Sequence, residues 1–298
     1  MGGHFLIGAK NMEVKPATTY QQQVELIRQK GFVIEDTQAC IEFLKQANYY
    51  RLSAYFLPFR KEDKTYFPGI PLRRIQRIYM FDSRLRGLLF HVIETIELHL
   101  RTQLAYYFAH HYGPLGYLNA DYYSSKHNAE KFAQQIERRI RDNRNTLVVQ
   151  HHQTVYHGEF PIWVIIEFFT MGMLSRFYSD FKLRDQKAIA LEYGQHYACI
   201  DSWLRCITDL RNCCAHYARL YYWNFISVPK MPKDLGFTAD ERLFSQILML
   251  KYLYPNAQEW NGRILGELEA LIEEYLPDIS LKHIGFPQKQ WQELLRIT

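Results

Sequence analysis

Arg211, Asn212 and His216 fall within six residues of one another, inside the stretch "TDLRNCCAHYARLYYW" from Thr208 to Trp223. Side chains of these types could cleave RNA through its own ribose 2′-hydroxyl. A histidine changes charge near neutral pH and can move the 2′-OH or the 5′-O proton. An arginine fork can clamp phosphate oxygens as charge grows in the transition state. An asparagine can orient the histidine or donate to the phosphate. This scheme needs no metal, and the sequence lacks the carboxylate cluster that metal-dependent nucleases use. Taken on spacing alone, an Arg, an Asn and a His on one helix favour a structural role.

A helix must carry these residues. From Ile200 onward, Ile200, Trp203, Leu204, Ile207, Leu210 and Cys214 share one apolar face. Asp201, Arg205, Asp209, Asn212 and His216 share the other side, with Asn212 and His216 four residues apart and so adjacent. Arg211 falls inside the apolar stripe, where an unpaired guanidinium costs several kcal/mol. Three readings are open. Arg211 pairs with a buried carboxylate, Glu94 or Glu97; it sits at a seam between two subunits; or the helix distorts. Five positions on a regular helix span about 140°. Arg211 and His216 therefore serve one phosphate only if the helix bends or a second copy completes the site, which favours a dimer.

The surrounding pattern is helical. "YQQQVELIRQKG" stops at Gly31, and "DTQACIEFLKQA" begins behind the N-cap residue Asp36. Leu85, Leu88, Leu89, Val92, Ile96, Leu100 and Leu104 recur at three or four residues and predict one long helix from Leu72 to about Tyr112, stopped by Gly113 and Pro114. Glu97 and Arg101 lie four apart on its polar flank. Residues 128–145 predict a charged helix, followed by the loop "HHQTVYHGEF" and one buried helix near 161–179. A helix near 185–194, the motif helix, and a C-terminal pair complete the set. No alternating strand pattern appears, so the fold class is all-α.

The 298 residues are 48% hydrophobic, enough to bury a full core. The net charge of +5 suits a polyanion partner without requiring one. Cys40, Cys199, Cys206, Cys213 and Cys214 form no C-x-x-C pair and read as reduced thiols of a cytoplasmic protein. The vicinal pair Cys213 and Cys214 reads as small helix packers. The longest apolar run, Phe160 to Leu174, carries Glu167 and is shorter than the roughly 20 residues of a membrane span. Residues 1–17 read as an N-terminal tail, either a tag remnant or sequence ahead of a start at Met12, and 18–298 as a single helical domain.

"RNCCAH" resembles the R-N-x-x-x-H signature of HEPN-domain ribonucleases. The longer "RNCCAHYARLYYWNF" is similar to a block of the bacterial abortive-infection Abi-like proteins of the AbiD/AbiF type. "NYYRLSAYFLPFR", "IYMFDSRLRGLLFHVIETIELHLRTQLAYYF" and "GFPQKQW" resemble further blocks of that family, in the family's order. The resemblance spans roughly residues 18–294. It implies an all-α, HEPN-type helical bundle with accessory N- and C-terminal helices. It also implies antiphage defence, toxin-like activity and a metal-independent, dimeric endoribonuclease. Carried over, Arg211 and His216 are the catalytic pair and Asn212 the polar second residue. The family's second histidine is Tyr217 here, and the Trp after its Arg-Leu is Tyr221; Tyr217 and Arg219 are further candidate RNA contacts. RNA, as substrate or as a bound noncoding RNA, is the implied partner. No cofactor is implied. The alternative is a non-catalytic protein of the same fold that holds a structured RNA.

Other residues could touch RNA. Arg73, Arg74 and Arg77 in "LRRIQR", and Arg138 and Arg139 in "ERRIRDNR", form short basic clusters that are either backbone contacts or a solvated helix face. Tyr50 and Arg51, with Tyr49, could stack and clamp a base, although core packing around a buried arginine is the plainer reading. His151, His152 and His157 lack the spacing of a metal site and read as loop residues.

Overall fold

A computed structural model describes residues 16–297; the predicted tail lies almost wholly outside the described residues. The chain forms two compact units, one ending at Gln76 and one beginning at Arg77. The fold is all-α: the only strands among the described residues are two residues long.

In the first unit, Thr19 closes a capping box with Gln22 at the start of α1 (Tyr20–Gln29). The chain turns at Gly31 into β1 (Phe32–Val33), which pairs in parallel with β2 (Ile70–Pro71). Between them lie α2 (Thr37–Gln46), capped by the Asp36 carboxylate, and α3 (Tyr49–Ser53), which tightens into a 3-10 segment over Ala54–Phe59. Val24, Ile27, Leu52, Phe56 and Ile75 are its most buried apolar residues.

The second unit is organised by α4 (Leu72–Tyr112), whose first five residues belong to the first unit. Its predicted bounds hold, and Leu85, Leu89, Val92, Ile96, Leu100 and Leu104 are all buried. Next come α5 (Ala129–Asp142) and α6 (Leu147–Val155). The single buried helix expected near 161–179 is instead two pieces, α7 (Ile162–Ile165) with a 3-10 turn, then α8 (Met171–Asp180). The reason for the break is local. The Thr170 hydroxyl accepts from Met173 N and caps α8, while the Phe169 carbonyl turns to Arg101 of α4. After α9 (Leu183–Glu192), the motif helix α10 (Tyr197–Ala215) packs against α8, α9 and α11 (Leu243–Leu253). Every residue from Leu243 to Lys251 is buried, which makes α11 the central helix of the unit. A short α12 (Ala257–Glu259) and a π-helical turn over Trp260–Ile264 lead into α13 (Leu265–Tyr275), and α14 (Trp291–Leu295) follows. Gly285 precedes α14 in the left-handed region, and a Cβ there would lie 2.4 Å from Arg242 Cβ, so only glycine fits. No helix among the described residues is long and apolar enough to cross a membrane.

The chain that leaves α10 is tied to α4 by one fully buried carboxylate. Asp82 accepts from Leu220 N at 3.1 Å and from Tyr221 N at 2.7 Å, and it pairs with Arg86. Arg86 in turn donates to the Ala218 carbonyl at 3.2 Å. The Tyr221 ring packs edge-on against Phe81, and its hydroxyl accepts from Ser280 N at 2.9 Å and meets His283 Nδ1 at 2.8 Å. Removing one member of a buried ion pair strands the other and costs about 3–5 kcal/mol. Asp82→Ala is therefore expected to lower the melting temperature by roughly 6–20 °C in calorimetry. The Asp82→Ala/Arg86→Ala double variant should lose less than the sum of the two single losses; additive losses would show that the pair is not coupled.

Candidate functional site

Buried residues of α10 include Ile200, Trp203, Leu204, Ile207, Leu210 and Cys214, the predicted apolar face. The helix stops at Ala215, and His216 is its C-cap. Ala218 N donates to Cys213 O at 2.8 Å and Tyr217 N to Cys214 O at 3.1 Å, the two bonds of a Schellman motif. The left-handed position of that motif is usually glycine; here it is Tyr217, at φ 55°. A side chain there costs roughly 1–2 kcal/mol. The bonds from Asp82 and Arg86 hold the chain in this turn. The turn begins only after His216, whose N–H still bonds to the Asn212 carbonyl at 3.0 Å, so Arg211 and His216 keep their helical divergence within one chain.

Arg211 is half-buried, and Asn212 and His216 are exposed. The side chains of Asn212 and His216 make no hydrogen bond with the described residues. Of the three readings of Arg211, the first holds. Its Nε lies 3.9 Å from Glu97 Oε2, and its guanidinium stands 6.0 Å from the Phe90 ring centroid. Glu97 and Arg101, expected on a polar flank, have side chains only 14% and 15% exposed. Arg101 pairs with Glu97 and also donates to the Glu167 carbonyl at 2.7 Å and the Phe169 carbonyl at 2.8 Å. The break between α7 and α8 supplies these two carbonyls. Glu97 is thus shared by two guanidinium groups around a cavity of about 230 Å³. The Nε atoms of both Arg101 and Arg211 are buried and have no hydrogen-bond acceptor among the described residues. Glu94, the second carboxylate lining the cavity, is exposed and lies 3.9 Å from His91.

The remaining candidates lie elsewhere or are engaged. Tyr50 is 86% exposed and so is not core packing, while Arg51 is half-buried. Arg73 is exposed, and Arg74 stands 5.2 Å from the Phe59 ring centroid. Arg77 pairs with Asp278 at 3.0 Å and lies over the Tyr275 ring, which ties it to the core. Arg138 and Arg139 both reach Asp142 on the exposed side of α5. Tyr217 is exposed beside His216, and Arg219 is half-buried. His151 and His152 lie in α6 rather than a loop; His152 is buried, stacks on Phe160 and meets the Glu159 carbonyl at 2.9 Å. Among the described residues no group of three or more His, Cys, Asp or Glu side chains could hold a metal ion.

Sequence reasoning missed the anchoring pair Asp82 and Arg86. One signal was available: an acid and a base four residues apart lie beside Phe81, Leu85 and Leu89 on a buried face, where charges persist only when paired.

A family model described as Abi-like protein matches residues 42–222, which span the Tyr-Tyr-Arg block, all of α4 and the Arg211–His216 motif. No curated protein matches the chain, and no solved structure does.

The cysteines behave as packing groups. Burial pushes the Cys206 and Cys214 thiols up to about 12 and raises those of Cys40, Cys199 and Cys213. Only the thiolate reacts readily. At pH 8 the native protein should therefore react with a disulfide reagent far more slowly than free cysteine does, and all 5 thiols should titrate after denaturation. A fast native phase of one or more equivalents would refute the packing role.

Proposed function

The chain belongs to the Abi-like protein family, and from that premise we propose that it is a metal-independent endoribonuclease of the HEPN R-N-x-x-x-H type, acting in the cytoplasm in antiphage abortive-infection defence. One observation carries the reading. Two guanidinium groups share a single half-buried carboxylate, and both keep a buried N–H without an acceptor. Buried donors left unpaired are costly, and an anion entering the cavity satisfies them. A backbone phosphate is such an anion, and Arg211 is the group that grips it as charge grows.

The neighbouring groups suit the remaining steps. His216 lies just past the helix end with its imidazole open to solvent, free to take the proton from a ribose 2′-hydroxyl and return one to the leaving 5′-oxygen. The 2′-oxygen attacks the adjacent phosphorus, the bond to the 5′-oxygen breaks, and a 2′,3′-cyclic phosphate remains on one product. Asn212, one turn before His216, positions the phosphate or the ring. Glu97 positions Arg211 from behind and does not touch the substrate. The HEPN-type bundle and the homodimer belong to the same proposal; the dimer rests on the family resemblance and on the divergence of Arg211 and His216 along α10. The second reading is a protein that holds RNA without cutting it, and the pairing of Arg211 with Glu97 favours it, because a shared carboxylate weakens the grip on a developing charge.

RNA cleavage by the purified protein should persist in excess EDTA. His216→Ala should lower the rate by about 10²–10⁴ with an unchanged melting temperature, because the side chain is exposed. Equal cleavage by wild type and variant would refute the catalytic assignment. Intact RNA that co-purifies, with no turnover, would select the second reading.

A further inference from the structure

A second, larger cavity lies at the other end of α10. This groove, of about 1140 Å³, is bounded by the ends of α9 and α11, the start of α10 and the last described residues of the chain. Cys199 on its wall precedes Arg211 by 12 residues (211 − 199), about 18 Å along the helix axis. On α4, His99 lines the groove, whereas Glu97, two positions earlier, faces Arg211. The groove is thus separate from the Arg211 cavity.

Its lining combines fixed rings with unpaired charge. Tyr252 stacks on the fully buried Trp203, with ring centroids 5.2 Å apart and planes at 15°. Tyr193 meets His99 edge-on at 6.0 Å. Lys251 is 8% exposed, and its ammonium stands 4.7 Å from the Tyr252 ring centroid. The ammonium donates to the Leu294 carbonyl at 2.6 Å and to the Arg296 carbonyl at 3.2 Å, which leaves the third of its N–H groups. Lys233, Lys289 and Arg296 on the rim are exposed and form no ion pair with the described residues. The same holds for the three carboxylates that also line the groove, Glu192, Asp234 and Glu293.

A ligand that answers this lining carries an anion for the ammonium groups, a flat ring for Tyr193, and hydroxyl or amino donors for the carboxylates. We propose that the groove binds a ribonucleotide unit, its phosphate toward Lys251 and the rim lysines and its base against Tyr193. A nucleotide has all three features: phosphate, aromatic base, and ribose hydroxyls. The groove exceeds the roughly 300–1,000 Å³ of a small-molecule site, which leaves space for more than one unit. The unit comes either from a free nucleotide or from a stretch of single-stranded RNA, where stacking and charge act together. The assignment does not depend on whether Arg211 and His216 cut RNA.

The test uses the full chain carrying His216→Ala, so that any strand offered to it survives. Calorimetric titrations with the four ribonucleoside monophosphates and with a five-residue oligoribonucleotide are compared with those of the same chain carrying Lys233→Glu and Lys289→Glu. Both lysines are exposed, so the variant retains the fold. At least one probe should bind, and the charge reversal should weaken it tenfold or more, whereas Arg211→Ala should leave mononucleotide binding unchanged. Competition between mononucleotides and the oligomer identifies a free nucleotide as the source; binding of the oligomer alone identifies the strand. If neither probe binds at millimolar concentration, or if the charge reversal leaves binding unchanged, the proposal is overturned.

Discussion

The fully buried carboxylate of Asp82 fixes the path of the chain as it leaves α10. A buried charge is tolerated only when its lone pairs are satisfied. Asp82 meets that demand with two backbone N–H groups, from Leu220 and Tyr221, and with Arg86. Because the donors are backbone groups, the carboxylate fixes the path of the chain itself rather than the placement of one side chain. Arg86 extends the hold to the Ala218 carbonyl. Two residues in this segment, Tyr217 and Tyr222, have left-handed backbones without being glycine. The anchor offsets their strain, so a turn that is unfavourable in isolation becomes the one the chain keeps.

Arg211 is placed by a different network, built on the C-terminal half of α4. Glu97 lies four residues before Arg101, and the two pair along the helix. Arg101 also reaches across to the carbonyls exposed where α7 gives way to α8. The helix break thus does structural work: an unbroken helix would use those carbonyls internally. With Arg101 locked on three partners, Glu97 is held rigidly, and it presents its second oxygen toward Arg211. One long helix therefore fixes both the arginine and the loop beyond the histidine, through pairs roughly 15 residues apart, about four helical turns.

Some of this was legible in the sequence. The apolar period of α4, the Pro71 that precedes it and its Gly-Pro stop marked that helix, because periodicity and breakers are local signals. The buried face of α10 was legible for the same reason. The end of α10 was not, because no glycine or proline marks it; Tyr217 makes the turn, and the groups that hold it are more than 130 residues earlier in the chain. The break at Thr170 was hidden inside an apolar run whose composition suits a continuous helix equally well. Glu97 and Arg101 looked like a surface pair because a helix wheel sees only its own helix, whereas α7 and α8 cover this flank. Tyr50 failed in the opposite direction: an aromatic residue in an apolar block was read as core, and it faces solvent.

The motif occupies the last turn of α10 and its C-cap. Within a continuous helix, Arg211 and His216 would diverge by about 140°. The turn at Tyr217 does not remove that divergence, because His216 N still bonds to the Asn212 carbonyl at 3.0 Å and the chain leaves the helix only beyond it. Glycine at 217 would make the same turn without the roughly 1–2 kcal/mol of side-chain strain. Tyrosine there places a 67% exposed ring next to the histidine. Exposure of that size means that core packing does not explain the residue. The stability given up at this position is therefore not recovered by burying the ring.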